Sequence, residues 1–169
     1  VKQGGCCFFI MDKILVVDGN SILNRAFYGI RALTTGDGLP TNAVYGFINI
    51  LLKNISLCGE VKYGAVAFDL KAPTFRHKRY SEYKANRKGM PEELALQLPY
   101  AKDAARYLGF TVLEKEGFEA DDILGTLAKK AENEGLECVI VTGDRDSLQL
   151  VSEKVSVYLA ATNETKIFT

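Results

Sequence analysis

The feature that most constrains the fold is an apolar run followed closely by an aspartate, which recurs along the chain. Such runs occupy residues 13–17, 63–68 and 138–141, and the aspartates that follow them are Asp18, Asp69 and Asp144. Segments that are apolar at every position are typical of strands buried on both faces of a parallel sheet. The sequence therefore predicts parallel strands with acidic residues at their carboxyl ends.

Helical patterns separate these strands. Hydrophobic spacing predicts helices over residues 21–32, 43–57, 91–108, 120–134 and 147–151, and shorter strands over 111–113 and 155–159. Pro99 predicts a kink or break in its helix, because proline removes a backbone donor and clashes with the preceding turn. Alternating strands and helices indicate an α/β fold, with a mostly parallel central sheet and helices on both faces.

Length and composition limit the possible classes of protein. With 169 residues the chain is one domain or part of one, and its 21 basic and 21 acidic residues leave no global basic field. Four cysteines without a C-x-x-C pair, and a single histidine, argue against a zinc site and suit a reducing cytoplasmic compartment. Residues 1–10 are expected to be an upstream extension or disordered tail, because the segment that starts at Met11 is more typical of the natural start of a protein than residues 1–10 are. The domain is expected to span residues 11–169 and to lack its C-terminal part.

The densest acidic cluster is Glu119-Ala120-Asp121-Asp122, which follows Gly117 at a predicted helix start. One interpretation is structural, because acidic residues cap helices and interact favourably with the helix dipole. The other is a metal site, because a bound divalent cation would remove the repulsion among three neighbouring carboxylates. The cluster alone leaves both interpretations open.

The predicted sheet favours the metal interpretation. Carboxyl ends of parallel strands meet at one edge, where ligands bind in open α/β sheets. The acids expected to converge there as metal ligands are Asp18, Asp69, Glu119, Asp121, Asp122, Asp144 and Asp146. Oxygen donors of this kind suit Mg²⁺ or Mn²⁺, and two such ions support phosphoryl chemistry.

A basic segment lies between the second strand and the next long helix. Residues 71–88 hold seven lysines and arginines against one acid, with Phe75, Tyr80 and Tyr83 among them. Bases interleaved with aromatic side chains suit single-stranded nucleic acid, and the alternative is a solvated loop. His77 is expected to make a polar contact rather than act as an acid or base. Acidic residues that could bind metal ions, together with basic residues that could bind a nucleic-acid strand, predict a nuclease.

Five segments carry motifs of a known kind: Val17-Asp18-Gly19-Asn20, residues 68–76, Tyr83-Lys84-Ala85-Asn86-Arg87, Glu119-Ala120-Asp121-Asp122 and Thr142-Gly143-Asp144-Arg145-Asp146. Together they resemble the motifs of the 5′-nuclease family of flap endonucleases and 5′–3′ exonucleases. The likeness is strongest to the N-terminal 5′–3′ exonuclease domain of bacterial DNA polymerase I and runs from about Met11 to Thr169.

The resemblance implies a PIN-like three-layer α/β/α fold, two divalent cations and cleavage of DNA at 5′ ends and 5′ flaps. It implies that residues 74–90 form a helical arch over the 5′ strand. The implied catalytic residues are Asp18, Asp69, Glu119, Asp121 and Lys84. The implied nucleic-acid contacts are Asn20, Arg25, Arg76, Tyr80, Lys84 and Arg87. The resemblance also implies a monomeric protein that does not bind membranes. Such a protein acts in RNA-primer removal and repair, and it is fused to a DNA polymerase or works with one.

Alternatives to this reading differ in substrate or in turnover. The family's further aspartate pair and helix-hairpin-helix element are not found in these residues, so a fragment that only binds single-stranded DNA is one alternative. A PIN-type ribonuclease is another, although those enzymes lack a long basic arch. A haloacid-dehalogenase-like phosphatase would need a second aspartate where Asn20 stands.

Overall fold

The structure is a computed structural model that describes residues 12–80, 82–83, 89–160 and 165–169. Its strands are β1 Lys13–Asp18, β2 Tyr63–Ala67, β3 Thr111–Leu113, β4 Glu137–Thr142, β5 Val155–Ala160 and β6 Thr165–Phe168. Its helices are α1 Gly19–Gly29, α2 Asn42–Cys58, α3 Phe75–Arg79, α4 Glu92–Tyr107 and α5 Ala120–Asn133, with a 3₁₀ helix at Arg145–Leu150.

All six described strands form one sheet in the order β3-β2-β1-β4-β5-β6. Neighbouring strands from β3 through β5 are parallel, and β6 runs antiparallel to β5 at the edge. The register pairs Asp18 with Ala67 on one side of β1 and Val17 with Val141 on the other. The carboxyl ends of β2, β1 and β4 therefore lie side by side.

Helices cover both faces of the sheet. Alternate residues of β1 point to opposite faces, as the pleat requires. Leu15 and Val17 join a core with α1, α2 and α4, whereas Val16 joins a second core with α5. These cores confirm the predicted three-layer α/β/α fold with a mostly parallel sheet.

A buried amide network connects three helices on the first face. The Gln97 carbonyl oxygen accepts hydrogen bonds from the backbone N–H groups of Ala43 and Val44 at 2.8 and 3.2 Å, at the start of α2. The Gln97 amide nitrogen donates to Asn42 Oδ1 at 3.1 Å, and Asn42 Nδ2 donates to the carbonyl of Phe27 at 2.9 Å. We call Asn42 and Gln97 the amide network.

The observed elements differ from prediction at particular places. The helix α4 is continuous from Glu92 to Tyr107 with Pro99 inside it, so of the predicted kink or break, the break is wrong. Leu94, Ala101 and Ala105 are fully buried on either side of the proline, and this packing offsets the backbone hydrogen bond that it removes. In the irregular basic segment, the structure instead has the short helix α3. No helix in the described part of the chain has both the length and the apolar composition needed to cross a membrane.

Candidate functional site

Acidic residues meet at the carboxyl edge of the sheet. Asp18 ends β1, Asp69 follows β2, and Asp144 follows β4. The start of α5 faces these strand ends across a polar cleft of about 220 Å³. The residues that line this cleft are Asp18, Asn20, Ser21, Asn24, Asp69, Glu119, Ala120, Asp121 and Asp144. We call it the acid cleft.

Asp18 lies at the base of the acid cleft and is only 4% exposed. It is the N-cap of α1, where its Oδ1 accepts a hydrogen bond from Ser21 N at 2.9 Å. Its Oδ2 accepts one from the Thr142 hydroxyl at 3.0 Å. Burial, chiefly, and the negative charges of Asp121 and Asp69 raise the pKa of Asp18 to about 6 despite these hydrogen bonds. Its ionised form is therefore held in an environment that disfavours negative charge.

Asp69 links β2 to the start of α5. Its Oδ1 accepts a hydrogen bond from Ala120 N at 2.6 Å, and its Oδ2 accepts one from Asn20 Nδ2 at 2.7 Å. The free backbone N–H groups of a helix start favour such a carboxylate. Asp69 thus fixes the spacing between two walls of the acid cleft.

Hydroxyl groups hold the side of the cleft that carries Asp144. The Thr142 hydroxyl, which donates to Asp18, also accepts a hydrogen bond from Asp144 N at 3.0 Å. Ser21 Oγ accepts one from Gly143 N at 3.0 Å, and Arg25 Nη2 donates to the Gly143 carbonyl at 3.0 Å. A Cβ atom at Gly143 would lie 2.7 Å from Arg25 Nε, so glycine permits this close approach.

Ser21, Asn24 and Thr142 were not predicted as site residues. Ser21 and Thr142 adjoin the predicted acids at a helix start and a strand end, where hydroxyls often bond to the backbone. Their position next to the predicted acids is the signal in the sequence that could have identified Ser21 and Thr142.

Glu119 forms the wall of the cleft that faces the basic segment. It is the N-cap of α5 and is 8% exposed. The Tyr83 hydroxyl donates to its Oε2 at 3.1 Å, and Arg76 Nη1 lies 3.6 Å from the same oxygen. Asp121, in the first turn of α5, is exposed and lines the same cleft.

Two predicted ligands, Asp122 and Asp146, are not among the residues that line the acid cleft. Asp122 lies outside the acid cleft, where its carboxylate accepts two hydrogen bonds from Arg76 at 2.7 and 2.8 Å. One residue of α-helix turns a side chain by about 100°, so Asp121 and Asp122 point to different sides of α5. Asp146 is exposed on the 3₁₀ helix and does not line the cleft, although its N–H donates to Asp144 Oδ1 at 3.0 Å.

The basic segment is described in part. Tyr80 follows α3 and is 70% exposed. His77 Nδ1 lies 2.7 Å from the Thr74 hydroxyl, at the start of α3, which is the polar contact predicted for it. The described residues leave out residues 1–10 and, within the predicted arch, residue 81 and residues 84–88, which include Lys84 and Arg87. Their roles stay predictions.

The donor set of the acid cleft suits a hard cation, because its charged groups are all carboxylates. Within the described residues, no three acidic, histidine or cysteine side chains are grouped closely enough to hold a metal ion as they stand. Mg²⁺ keeps several waters and often uses only one or two carboxylates together with substrate phosphates. The cleft fits a hydrated cation better than a fully protein-enclosed one.

Comparison with protein families decides which of the predicted classes applies. Residues 13–169 match the family described as "5'-3' exonuclease, N-terminal resolvase-like domain". The chain belongs to this family.

Relatives of this exonuclease-family chain are DNA polymerases. It is 46% identical, over 91% of its length, to DNA polymerase I of Caldicellulosiruptor bescii. It is 51% identical, over 87% of its length, to the thermostable DNA polymerase I of Thermus filiformis. The chain spans 18% and 17% of the lengths of these two relatives, respectively.

Solved structures of bacteriophage T5 nucleases share the fold of the exonuclease-family chain. A T5 5′-exonuclease with bound divalent zinc ions superimposes with a TM-score of 0.71 at 20% identity, covering 92% of this chain and 57% of that one. A T5 flap endonuclease in a pseudo-enzyme–product complex with DNA and metal ions gives 0.64 at 23% identity, with 92% and 57% covered. These likenesses confirm the PIN-like architecture.

Proposed function

We propose that this chain is the N-terminal nuclease part of a DNA polymerase I-type protein, and that it hydrolyses phosphodiester bonds at 5′ ends and 5′ flaps of DNA. The observation that carries the proposal is the acid cleft, where strand-end and helix-start carboxylates line one polar opening. The basic segment adjoins this cleft at Glu119, which Tyr83 and Arg76 contact. The sequence identity of 46% and 51% to two DNA polymerase I relatives supports the proposed link to a polymerase. The nuclease is proposed to act as a cytoplasmic monomer, with RNA primer–DNA hybrids among its substrates.

The proposal includes two divalent cations, Mg²⁺ or Mn²⁺, in the acid cleft. Asp18, Asp69, Glu119 and Asp121 are the proposed ligands on one side, with Asp144 on the other. Bound there, divalent cations lower the pKa of water and stabilise the charge that develops on phosphate oxygens. The raised pKa of Asp18 supports a cation in this place, because a positive charge would favour its ionised form.

Side chains of the chain itself have separate proposed roles. Asp69 and Thr142 keep the cleft walls at a fixed spacing through their hydrogen bonds to Ala120 and Asp144. Arg25 donates a hydrogen bond to the Gly143 carbonyl next to the cleft, and it is proposed to contact a DNA phosphate. Exposed Tyr80 is proposed to stack on a base, and Lys84 and Arg87 to contact the 5′ strand.

The test is cleavage of a fluorescent 5′-flap DNA by the full 169-residue chain in Mg²⁺, Mn²⁺ or EDTA. We expect cleavage that needs the cation. Asp121→Asn should lower the rate by on the order of 10²-fold or more, because metal-assisted charge stabilisation contributes several kcal/mol. Asp103→Asn is the matched control, since this acid is exposed on α4 away from the cleft.

Other outcomes identify the alternatives. Cleavage of single-stranded RNA without cleavage of flapped DNA would indicate a PIN-type ribonuclease. Salt-sensitive DNA binding without turnover in Mn²⁺ would indicate a binding module. An unchanged rate for Asp121→Asn would show that the metal assignment is wrong.

A further inference from the structure

The Arg76 guanidinium does not line the acid cleft, but it lies next to Glu119, which does. Its Nη1 and Nη2 donate to the two carboxylate oxygens of Asp122 at 2.8 and 2.7 Å. Such bidentate pairs are among the stronger and more directional hydrogen-bonded contacts in proteins. Both side chains are largely shielded, with exposed fractions of 32% for Arg76 and 21% for Asp122. Asp122 is the main cause of a raised pKa of Arg76.

This pair contacts Glu119 in two ways. Asp122 Oδ2 accepts a hydrogen bond from Glu119 N at 2.9 Å, which fixes the backbone of that residue. Arg76 Nη1 lies 3.6 Å from Glu119 Oε2, which favours one position of the carboxylate. Glu119 itself lines the acid cleft. The pair therefore supports a cleft residue from outside the cleft.

The position of Arg76 is itself fixed by the docking of α3 on the loop before α5. Phe75 N donates to the Gly117 carbonyl at 2.9 Å, and Gly117 has a φ of 83°, a conformation that favours glycine. The rings of Phe75 and Phe118 lie 5.8 Å apart, and the Arg76 guanidinium lies 4.5 Å from the Phe75 ring centre. Arg76 is thus held in position by a combination of backbone, aromatic and ionic contacts.

We propose that Arg76 and Asp122 form a positioning pair that holds Glu119 in its place in the acid cleft. This proposal deepens the proposed nuclease function and rests on it. It assigns Arg76 a role other than a DNA phosphate contact, and Asp122 a role other than a metal ligand. A phosphate contact by Arg76 would have to disrupt or share the bidentate pair and leave a largely shielded carboxylate poorly compensated.

The first experiment compares turnover of 5′-flap DNA in Mg²⁺ by Arg76→Gln, Asp122→Asn and the double variant. We expect each single variant to lower kcat about 10- to 100-fold with little change in KM, as outer supports of a metal site do. The double variant should be at most about threefold slower than the slower single variant, because the two residues act as one unit. Arg106→Gln, which removes an exposed arginine of α4 outside the basic segment, should keep kcat.

The second experiment measures DNA affinity against salt concentration in EDTA. A lost phosphate contact would lower the slope of log K against log salt by about 0.7–0.9. We expect Arg76→Gln to leave the slope unchanged. A lowered slope for Arg76→Gln, together with normal turnover by Asp122→Asn, would overturn the proposal and make Arg76 a phosphate ligand.

The third experiment titrates Mn²⁺ into the DNA-free chain by electron paramagnetic resonance, so its result does not depend on turnover. Arg76→Gln and Asp122→Asn should weaken Mn²⁺ binding by a similar factor, about 10- to 100-fold. Weakening by Asp122→Asn alone would overturn the proposal and make Asp122 a direct ligand, and no weakening by either would also overturn it.

These readouts separate the two proposals. If the unmodified chain does not turn over DNA, the nuclease proposal fails, and the Mn²⁺ titration still decides the positioning pair. Near-ultraviolet circular dichroism checks that each variant is folded. If Arg76→Gln does not fold, Arg76→Lys replaces it. Arg76→Lys should retain only part of the Mn²⁺ affinity of the unmodified chain, because lysine cannot make the bidentate contact with Asp122.

Discussion

The amide network and the acid cleft are both polar regions within the same fold, yet they have opposite effects on its stability. Gln97 is fully buried, and its amide makes four hydrogen bonds, two accepted and two donated. Asp18 is nearly as buried, but it carries a charge close to Asp69 and Asp121. Satisfied neutral groups stabilise the fold, whereas neighbouring carboxylates repel one another. The comparison separates a region whose buried polar groups are hydrogen-bonded and neutral from one that brings negative charges together.

The largest effect on stability should come from the amide network. Gln97→Leu removes the partners of Ala43 N and Val44 N and leaves Asn42 Oδ1 without its donor. We expect the free energy of unfolding to fall by about 2–4 kcal/mol, because unsatisfied buried groups each cost about 1–3 kcal/mol. Urea denaturation measures it, and Gln149→Leu, at an exposed position, is the control. A loss no larger than that of the control would remove the stabilising half of the comparison.

An intermediate effect, of opposite sign, should come from the acid cleft. The folded pKa of Asp18 is raised to about 6 from an ordinary value of 3.8. Ionisation therefore destabilises the folded state as the pH rises from about 4 to above 6. In EDTA, Asp18→Asn should stabilise the chain by about 1–3 kcal/mol at pH 7.5 and by little at pH 4.

Thermal unfolding at the two pH values measures this difference, with Asp37→Asn in an exposed loop as the control. The same variant should bind Mn²⁺ more weakly. If Asp18→Asn destabilises the metal-free chain at both pH values, the cleft is structural like the amide network, and the contrast between the two regions is lost.

The smallest effect should come from a hydroxyl at the border of the cleft. Ser21→Ala removes the acceptor of Gly143 N and should lower the free energy of unfolding by about 1 kcal/mol, at pH 4 and pH 7.5 alike. Ser56→Ala, at an exposed position on α2, is the control for urea denaturation. A pH-dependent loss would show that Ser21 takes part in the charge balance of the cleft rather than only in its framework.

The sequence predicted the strands and most of the cleft because both depend on local patterns. Apolar runs located β1, β2 and β4, and parallel pairing then brought Asp18, Asp69 and Asp144 to one edge. Asp18, Glu119 and Asp144 are N-caps that also line the cleft, so the helix-cap interpretation does not exclude the proposed metal site. An N-cap places a carboxylate at the carboxyl edge of the sheet, where a cation would be held.

Features that depend on tertiary contacts were not predictable in the same way. Adjacency to Glu119 and Asp121 placed Asp122 in the cleft, but the choice of its partner depends on how α3 docks against α5. The continuity of α4 through Pro99 depends on the buried residues around it rather than on the proline itself. The bridging role of Thr142 appears only once β1 and β4 are paired.

The Thr142 hydroxyl, which joins Asp18 to the backbone of Asp144, also makes the cleft sensitive to how the sheet is assembled. A slip of one residue between β1 and β4 would turn Thr142 to the opposite face and separate the two acids. Only chains with Val17 opposite Val141 would then present the carboxylates together. On the proposed cation binding, the fraction of refolded chains that bind Mn²⁺ would therefore measure the yield of correctly paired strands.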